Sequence, residues 1–505
     1  MRVKLVLVLA LLAACLQVVA APPGLKITGK LDKKSLLITV VDSSGAPIDG
    51  ASVTVTAEMA EMDMGASKFI AKEIRPGLYS CVVSLPMDGD WKFAVKVVEG
   101  AAAPVIAVLD LTIGGGMQMD QMGSMKGRLG DWPMAKEGSG TSWLPESSPM
   151  FMKPLPKSGR YDLDLMGSFS YNYTDSGGTR GDHRFYSNSM IMLMSRRETG
   201  GGILGLNLMV SLDPLFNGEW GYPDLLQTGE TAHGTQLVDW QHPHDLLSEA
   251  AVSYSHPVGR VNGFIYAGPV GEPSLGGPTF MHRPSGMEIP EAPITHHWFD
   301  STHISWGVVT AGVNDSHWQV EGSVFNGHEP NENRYLPDPL RLDSASGRLS
   351  FAPSKNLSLN VSYGFLNSPE STAPGVDQHR LTGAALWNLS MGRNDLAVSA
   401  LYGENVMQGR SFPAYLLEAT LYEGPTSLFA RWENVDKDEL IGLPDGTYNV
   451  NKFLVGLVRD VASPGGSELG LGGYAGVYAF PQSVETYYGR PLTLGVFLRI
   501  RPKKM

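Results

Sequence analysis

Residues 161–173 read Tyr-Asp-Leu-Asp-Leu-Met-Gly-Ser-Phe-Ser-Tyr-Asn-Tyr. The odd positions are Tyr161, Leu163, Leu165, Gly167, Phe169, Tyr171 and Tyr173; the even ones are Asp162, Asp164, Met166, Ser168, Ser170 and Asn172. A period of two puts each set on its own face of a strand. Residues 357–365 repeat the pattern, with Leu357, Leu359, Val361, Tyr363 and Phe365 alternating with Ser358, Asn360, Ser362 and Gly364. In a membrane-spanning barrel the apolar row meets lipid and the small polar row lines a wet lumen.

Working outward from these stretches, the same signal predicts about sixteen strands. They fall near 160–173, 184–195, 203–213, 246–255, 260–268, 303–313, 317–325 and 345–352, then 357–366, 379–389, 396–403, 414–422, 426–433, 450–461, 468–480 and 490–501. Their connections alternate in length. Short joins such as 256–259, 314–316, 353–356 and 423–425 alternate with longer ones at 214–245, 269–302, 326–344, 367–378, 404–413, 434–449 and 481–489. Short periplasmic turns with long outside loops are the asymmetry of an outer-membrane barrel, and an even strand number returns both termini to the periplasm. A soluble sandwich has no reason to sort loop length by parity. The expected fold is therefore all-β: a small sandwich followed by an antiparallel transmembrane barrel over 160–502. Trp306, Trp318, Tyr363, Tyr402, Tyr415 and Trp432 lie near strand ends, where interfacial girdles belong.

Composition narrows the partners. Mean hydropathy is near zero, and past the N-terminus no apolar run is long enough for a spanning helix, so any span must be β. A net charge of −12 argues against nucleic acid. Outer-membrane lipid, a metal ion or small solute, and a periplasmic protein partner remain the candidates, in the outer membrane of a Gram-negative cell. At the N-terminus Arg2 and Lys4 precede the apolar run Leu5–Ala14, and Ala20-Ala21 offers a cleavage site, so 1–20 reads as a signal peptide. Leu12-Ala13-Ala14-Cys15 also has the look of a lipobox, which would make Cys15 a lipidated first residue; Leu16 after it is not the usual small or polar neighbour. Cys81 is then the single cysteine of the mature domains and reads as a buried small hydrophobe.

Residues 24–113 carry six or seven short strand patterns separated by turn signals such as Arg75-Pro76-Gly77, which suits a compact β-sandwich. Within it stand Met59-Ala60-Glu61-Met62-Asp63-Met64-Gly65, Pro76-Gly77-Leu78-Tyr79, Leu85-Pro86-Met87 and Gly89-Asp90-Trp91-Lys92-Phe93. These segments resemble the YtkA-like and FixH-like periplasmic domains. The resemblance implies an immunoglobulin-like sandwich in the periplasm, of a kind often found beside copper-handling and cation-pump proteins; it does not imply catalysis. In the barrel half, Gln227-Thr228-Gly229-Glu230, Gln241-His242-Pro243-His244-Asp245 and Phe280-Met281-His282-Arg283-Pro284-Ser285-Gly286 resemble a group of predicted outer-membrane β-barrel proteins. That resemblance implies architecture and no mechanism. Such barrels usually finish on an aromatic residue; here Phe497 is the nearest to the end.

Two sets of side chains could hold metal. Residues 114–159 form a Met/Gly/Pro-rich linker or plug segment, and eleven of the 22 methionines lie between Met59 and Met152. Thioethers are soft, uncharged ligands that favour Cu(I) and do not form disulfides in an oxidising compartment. Met62, Met64 and Met87 in the sandwich, with Met117, Met119, Met122 and Met125 in the linker, are thus candidate Cu(I) ligands. The competing reading is adaptable packing. The second set is histidine: ten of the 12 lie between His233 and His328, in the two longest outside loops and the strands that receive them. His242 and His244 flank Pro243 with Asp239 and Asp245 close by, while His296, His297, Asp300 and His303 crowd the end of the next loop. Histidine with carboxylate suits borderline divalent ions such as Zn2+ and Cu2+. Against this stands a bland role, hydrogen bonding that ties long ordered loops into a plug.

No Ser/His/Asp nucleophile spacing, phosphate-cradling glycine loop or His-Glu-x-x-His motif is present. His242, His244 and Asp245 are the residues an outer-membrane enzyme would have to use. The leading expectation is a non-enzymatic, porin-like channel with a periplasmic Met-rich domain that handles metal. The alternative is a plugged barrel that anchors a metal-binding periplasmic domain.

Overall fold

The computed structural model describes residues 25–32, 35–59, 66–83, 89–100, 104–113 and 126–505. The expected signal peptide with Cys15, and Met62, Met64, Met87, Met117, Met119, Met122 and Met125, lie outside the described residues. The chain divides into two compact units, up to Gln118 and from Met119 onward.

Among its described residues the first unit has seven strands: β1 (Leu25–Asp32), β2 (Ser35–Asp42), β3 (Ser52–Met59), β4 (Ser67–Arg75), β5 (Leu78–Val82), β6 (Gly89–Val98) and β7 (Val105–Ile113). They pair in the order β1-β2-β5-β4-β3-β6-β7. Strand β4 passes from one half of this nearly closed sheet to the other, since Ser67–Ala71 pair with β3 and Lys72–Arg75 with β5. Alternate residues of β2 (Leu36, Ile38, Val40) and β6 (Trp91, Phe93, Val95, Val97) fill the core between the halves. Cys81 packs among them, and burial pushes its thiol up. Tyr79 ties the turn before β3 by donating to the Ile48 carbonyl (2.7 Å) and accepting from the Ala51 N–H (3.0 Å).

The second unit is a closed barrel of sixteen long strands with one short strand, β8 (Met152–Ser158), beside them. In chain order they are β9 (Tyr161–Ser176), β10 (His183–Thr199), β11 (Gly202–Val210), β12 (Leu247–Val258), β13 (Val261–Gly271), β14 (Ser305–Asn314), β15 (Trp318–Phe325) and β16 (Ser344–Ser354). There follow β17 (Leu357–Leu366), β18 (Gln378–Met391), β19 (Asn394–Met407), β20 (Arg410–Glu423), β21 (Thr426–Lys437), β22 (Tyr448–Ala462), β23 (Ser467–Ala479) and β24 (Leu492–Pro502). Each pairs antiparallel with the next, and β24 closes on β9 from Thr493↔Ser176 to Ile500↔Phe169. Below that contact β8 pairs with the start of β9.

No helix of the described residues is long and apolar enough to cross a membrane. The strands cross instead: Leu206, Leu208, Ile265, Val309, Val361, Val455, Leu494 and Val496 belong to an exposed apolar exterior. This is the lipid face of an outer-membrane barrel.

All sixteen predicted strands are present, several of them longer than predicted. β19, for example, runs over 394–407 where 396–403 was expected. Apolar alternation reports only the lipid-contacting belt, whereas the hydrogen-bond ladder continues into polar sequence on either side. The same effect corrects the connection at 404–413. It is a two-residue turn, Gln408-Gly409, because both residues take positive φ (50° and 76°) and the strands extend to meet it. One girdle aromatic faces the other way from expectation, and Phe497 also turns inward. Trp306 points inward and donates to Asp245 (3.0 Å) rather than joining a girdle. Phe497 points inward against Phe429 and Tyr474, so the lipid row of the last strand ends on Ile500.

The largest departure concerns the lumen. The inward row is small and polar as expected, but Asn172, Thr310, Gln319, Ser358, Thr382, Thr420 and Thr493 are buried rather than solvent-lined. Segments 126–151, 211–246 and 272–304 fill the interior. Arg348 binds Glu321 (2.8 Å), which accepts from Thr141 (2.5 Å). Arg283 binds Glu418 (2.7 Å) and Asp300 (3.0 Å), and Lys452 binds Asp224 (2.5 Å) and Glu291 (2.9 Å). Glu433 accepts from the Thr295 N–H (3.1 Å) and hydroxyl (2.8 Å). Long loops can be buried only when their backbone and charges find such partners.

Candidate metal site

The segment after β11 starts with a short helix, Asp213–Asn217, that completes the barrel wall. The β10–β11 ladder stops at Ile191↔Val210, leaving the edge of β10 beyond it open. Asn217 closes it by accepting from the Ser187 N–H (2.7 Å) and donating to the Ser187 carbonyl (2.9 Å). Asp213 accepts from the hydroxyls of Ser187 (3.1 Å) and Ser189 (2.8 Å), and its other oxygen holds His244 Nδ1 at 2.8 Å.

The chain then makes two small hairpin pairings, Tyr222–Pro223 with Trp240–Gln241 and Glu230–Ala232 with Thr235–Leu237. The second projects Glu230 toward His242, whose Nδ1 lies 2.8 Å from the carboxylate. From the next loop, the one-turn helix His296–Phe299 brings His297 up to the same carboxylate, Nε2 to Oε1 at 3.5 Å. Glu329, beyond β15, approaches His297 Nδ1 at 3.1 Å. One ligand atom each from Glu230, His297 and Glu329 lies within 4.8 Å of the others, and all three side chains are buried. Neither contact of His297 has hydrogen-bond geometry: both its ring nitrogens are buried without a hydrogen-bond partner among the described residues. Gly229 makes the approach possible. A Cβ there would sit 2.6 Å from the His297 ring, and its φ is +104°.

The remaining histidines continue this cluster. His296 Nδ1 contacts Asp300 at 2.6 Å and His303 Nδ1 faces the Asp300 carbonyl at 2.8 Å. Ring centroids lie 5.2 Å apart for His296–His303, 5.3 Å for His244–His303 and 5.6 Å for His296–His297. The structure thus gathers His242, His244, His296, His297 and His303 inside the barrel. Asp239 and Asp245, the carboxylates expected beside His242 and His244, instead bind Arg180 (2.7 Å) and, for Asp245, Trp306 and Arg334 (3.0 and 3.4 Å). The actual partners, Glu230 and Asp213, come from elsewhere in the chain. Glu230 ends the segment Gln227-Thr228-Gly229-Glu230, and nothing in that segment says it meets two histidines.

Electrostatics separates His297 from His242, His296 and His303. Burial and then the nearby Arg334 hold His242 well below the usual imidazole range. Burial and the neighbouring imidazoles lower His303 likewise, and burial lowers His296 despite Asp300. For His297 burial also pulls down, but Glu329, Glu230 and Glu370 outweigh it and raise the group to about 9. Neutral imidazole is the form that binds metal, so His242, His296 and His303 are in ligand form at neutral pH; His297 would have to give up a proton.

Residues 20–96 match the family model described as YtkA-like, and the chain carries that domain. Among curated proteins none matches the chain in sequence. Three solved barrels resemble it in layout. OmpT of Vibrio cholerae is 8% identical, with 69% of this chain and 100% of that one covered and a TM-score of 0.40. The anion-selective porin from Comamonas acidovorans is 12% identical, covering 68% and 99%, with a TM-score of 0.40. Pseudomonas putida OprB is 9% identical, covering 67% and 94%, with a TM-score of 0.44. The chain's own closed, apolar-belted wall carries the porin-like fold and the outer-membrane location, with a YtkA-like domain suited to the periplasm.

Proposed function

We propose that this outer-membrane protein handles metal, as a porin-like barrel closed by its own loops with a divalent-ion site in the plug. Glu230, His297 and Glu329 are the ligands, and His242 the imidazole beside them. The observation that carries this reading is the convergence of two carboxylates on an imidazole whose two buried nitrogens have no hydrogen-bond partner among the described residues. Oxygen and imidazole donors suit Zn2+ or Cu2+. His244, His296 and His303, with their Nδ1 atoms turned to Asp213 or Asp300, adjoin the site and keep their Nε2 atoms for a ligand. Passage of a small solute would require the plug to move. The copper reading of Met62, Met64, Met87, Met117, Met119, Met122 and Met125 rests on thioether chemistry and the sequence resemblance. No catalytic step is invoked, since Asp245 pairs with Trp306 and Arg334 and not with a histidine.

Calorimetric titration of Zn2+ and Cu2+ into the detergent-folded protein tests the reading. Wild type should bind one ion that the double variant Glu230→Gln, Glu329→Gln does not. Equal stoichiometry and affinity in the two proteins would remove the site.

A further inference from the structure

Ten methionines meet in the barrel interior. Met134, Met152, Met190, Met192, Met194 and Met209 are buried together, with Met150, Met166, Met281 and Met505 packed against them. Among the described residues no other residue type belongs to this cluster, whereas every other apolar cluster there mixes aliphatic and aromatic side chains.

Strand register explains the arrangement. Met152 pairs with Met166, Met166 with Met192, and Met192 with Met209, so one rung of the wall carries methionine on four adjacent strands, β8 to β11. Directly opposed residues share a face, with Cβ atoms about 4.5–5.5 Å apart. Met190 and Met194 flank Met192 on the inward face of β10, and Met134, Met150, Met281 and Met505 pack with the group. The Met505 N–H donates to the Met150 carbonyl (2.9 Å), which holds the chain end over the group.

Packing alone does not call for this composition. Leucine fills a similar volume, and ordering a methionine costs more side-chain entropy than ordering a leucine. Converging thioethers do have a distinctive chemistry, which is soft, neutral coordination of Cu(I). A cation buried among neutral ligands needs a counter-charge. Asp164 is buried directly opposite Met194 across the β9–β10 ladder. The ion pairs at the start of β9 go to its neighbour Asp162, from Lys157 (2.6 Å) and Arg196 (3.8 Å).

We infer that this methionine rung is a binding site for a soft monovalent metal ion, Cu(I), with Asp164 as its counter-charge. It is separate from the divalent site and does not depend on it. The set is also distinct from the seven methionines of the sandwich and linker that the sequence singled out.

The test uses full-length protein in detergent with Met62, Met64, Met87, Met117, Met119, Met122 and Met125 all changed to leucine. Anaerobic Cu(I) titration against a chromophoric chelator, repeated with Ag(I), should still find one tight equivalent. Adding Met166→Leu, Met192→Leu and Met209→Leu should abolish it or weaken it by about tenfold or more, a loss of about 1.4 kcal/mol or more. Glu230→Gln with Glu329→Gln should leave it unchanged. Absence of the equivalent in the seven-leucine protein, or its full retention in the rung variant, overturns the inference. If the rung variant does not fold, X-ray absorption on the Ag(I)-loaded seven-leucine protein decides: a sulfur shell supports the rung, and a nitrogen or oxygen shell overturns it.

Discussion

Strand β22 shows the two faces of this protein side by side. Phe453, Val455 and Leu457 stand exposed on the outside, where any apolar side chain of similar size would serve. Lys452, one residue away, is buried between Asp224 and Glu291 of the plug, where only a cation will do. Lipid is a uniform partner and asks for hydrophobicity; the plug consists of particular partners and asks for particular charges. A slip of one residue would exchange the faces, placing Lys452 in hydrocarbon and Phe453 against two carboxylates. The inner charges therefore specify register and hold the plug. Their net contribution to stability is small, because desolvation offsets most of the attraction, while loss of one partner is costly.

Lys452→Met should accordingly have the largest effect. It strands Asp224 and Glu291 as unpaired buried carboxylates and should cost about 3–5 kcal/mol. Urea unfolding from liposomes should report that loss, and planar-bilayer recordings should show current bursts as the plug loosens. Next comes the outer face of the same strand. Val455→Arg, near the middle of the span, should cost about 2–4 kcal/mol in bilayers with no change in conductance. If Lys452→Met proved neutral in both measurements, the contrast between specified interior and generic exterior would fail.

The difference between the faces also explains which features are legible in the sequence. Alternation over 161–173 or 357–365 exposes the wall because every outward residue answers to the same lipid. Where a loop goes depends on distant partners, so the filling of the lumen was not legible from the polar inward row. The concentration of histidine was visible, yet Glu230 and Asp213 approach His242 and His244 through folded loops, and the adjacent Asp239 and Asp245 turn elsewhere. Met152, Met166, Met192 and Met209 are unevenly spaced and align only once register is known. Periodicity finds faces; it does not find pairs.

Gly229→Ala probes the interior without altering a charge. The added methyl would meet the His297 ring, and a positive φ strains any residue but glycine. The expected cost is about 1–3 kcal/mol, read as weaker Zn2+ binding and a lower unfolding midpoint. Undiminished Zn2+ affinity would show that the backbone approach at Gly229 does not position His297.

The smallest expected effect is a pH slope from Glu272, just beyond the end of β13. Its carboxyl is buried and accepts from the Thr279 hydroxyl at 3.2 Å. Burial raises it from 4.5 to about 8, with Arg348 and hydrogen bonds opposing the shift. The folded protein therefore keeps a proton that the unfolded chain has released. The stability this contributes is fully present below about 4.5 and is lost as pH rises through about 8, with a slope of at most about 1.4 kcal/mol per unit. Glu272→Gln, which is neutral in both states, should flatten the fall in stability across that window while leaving the acidic side of the profile in place. An unchanged slope in the variant would mean that Glu272 is ionised in the folded plug, with Arg348 rather than burial deciding its charge.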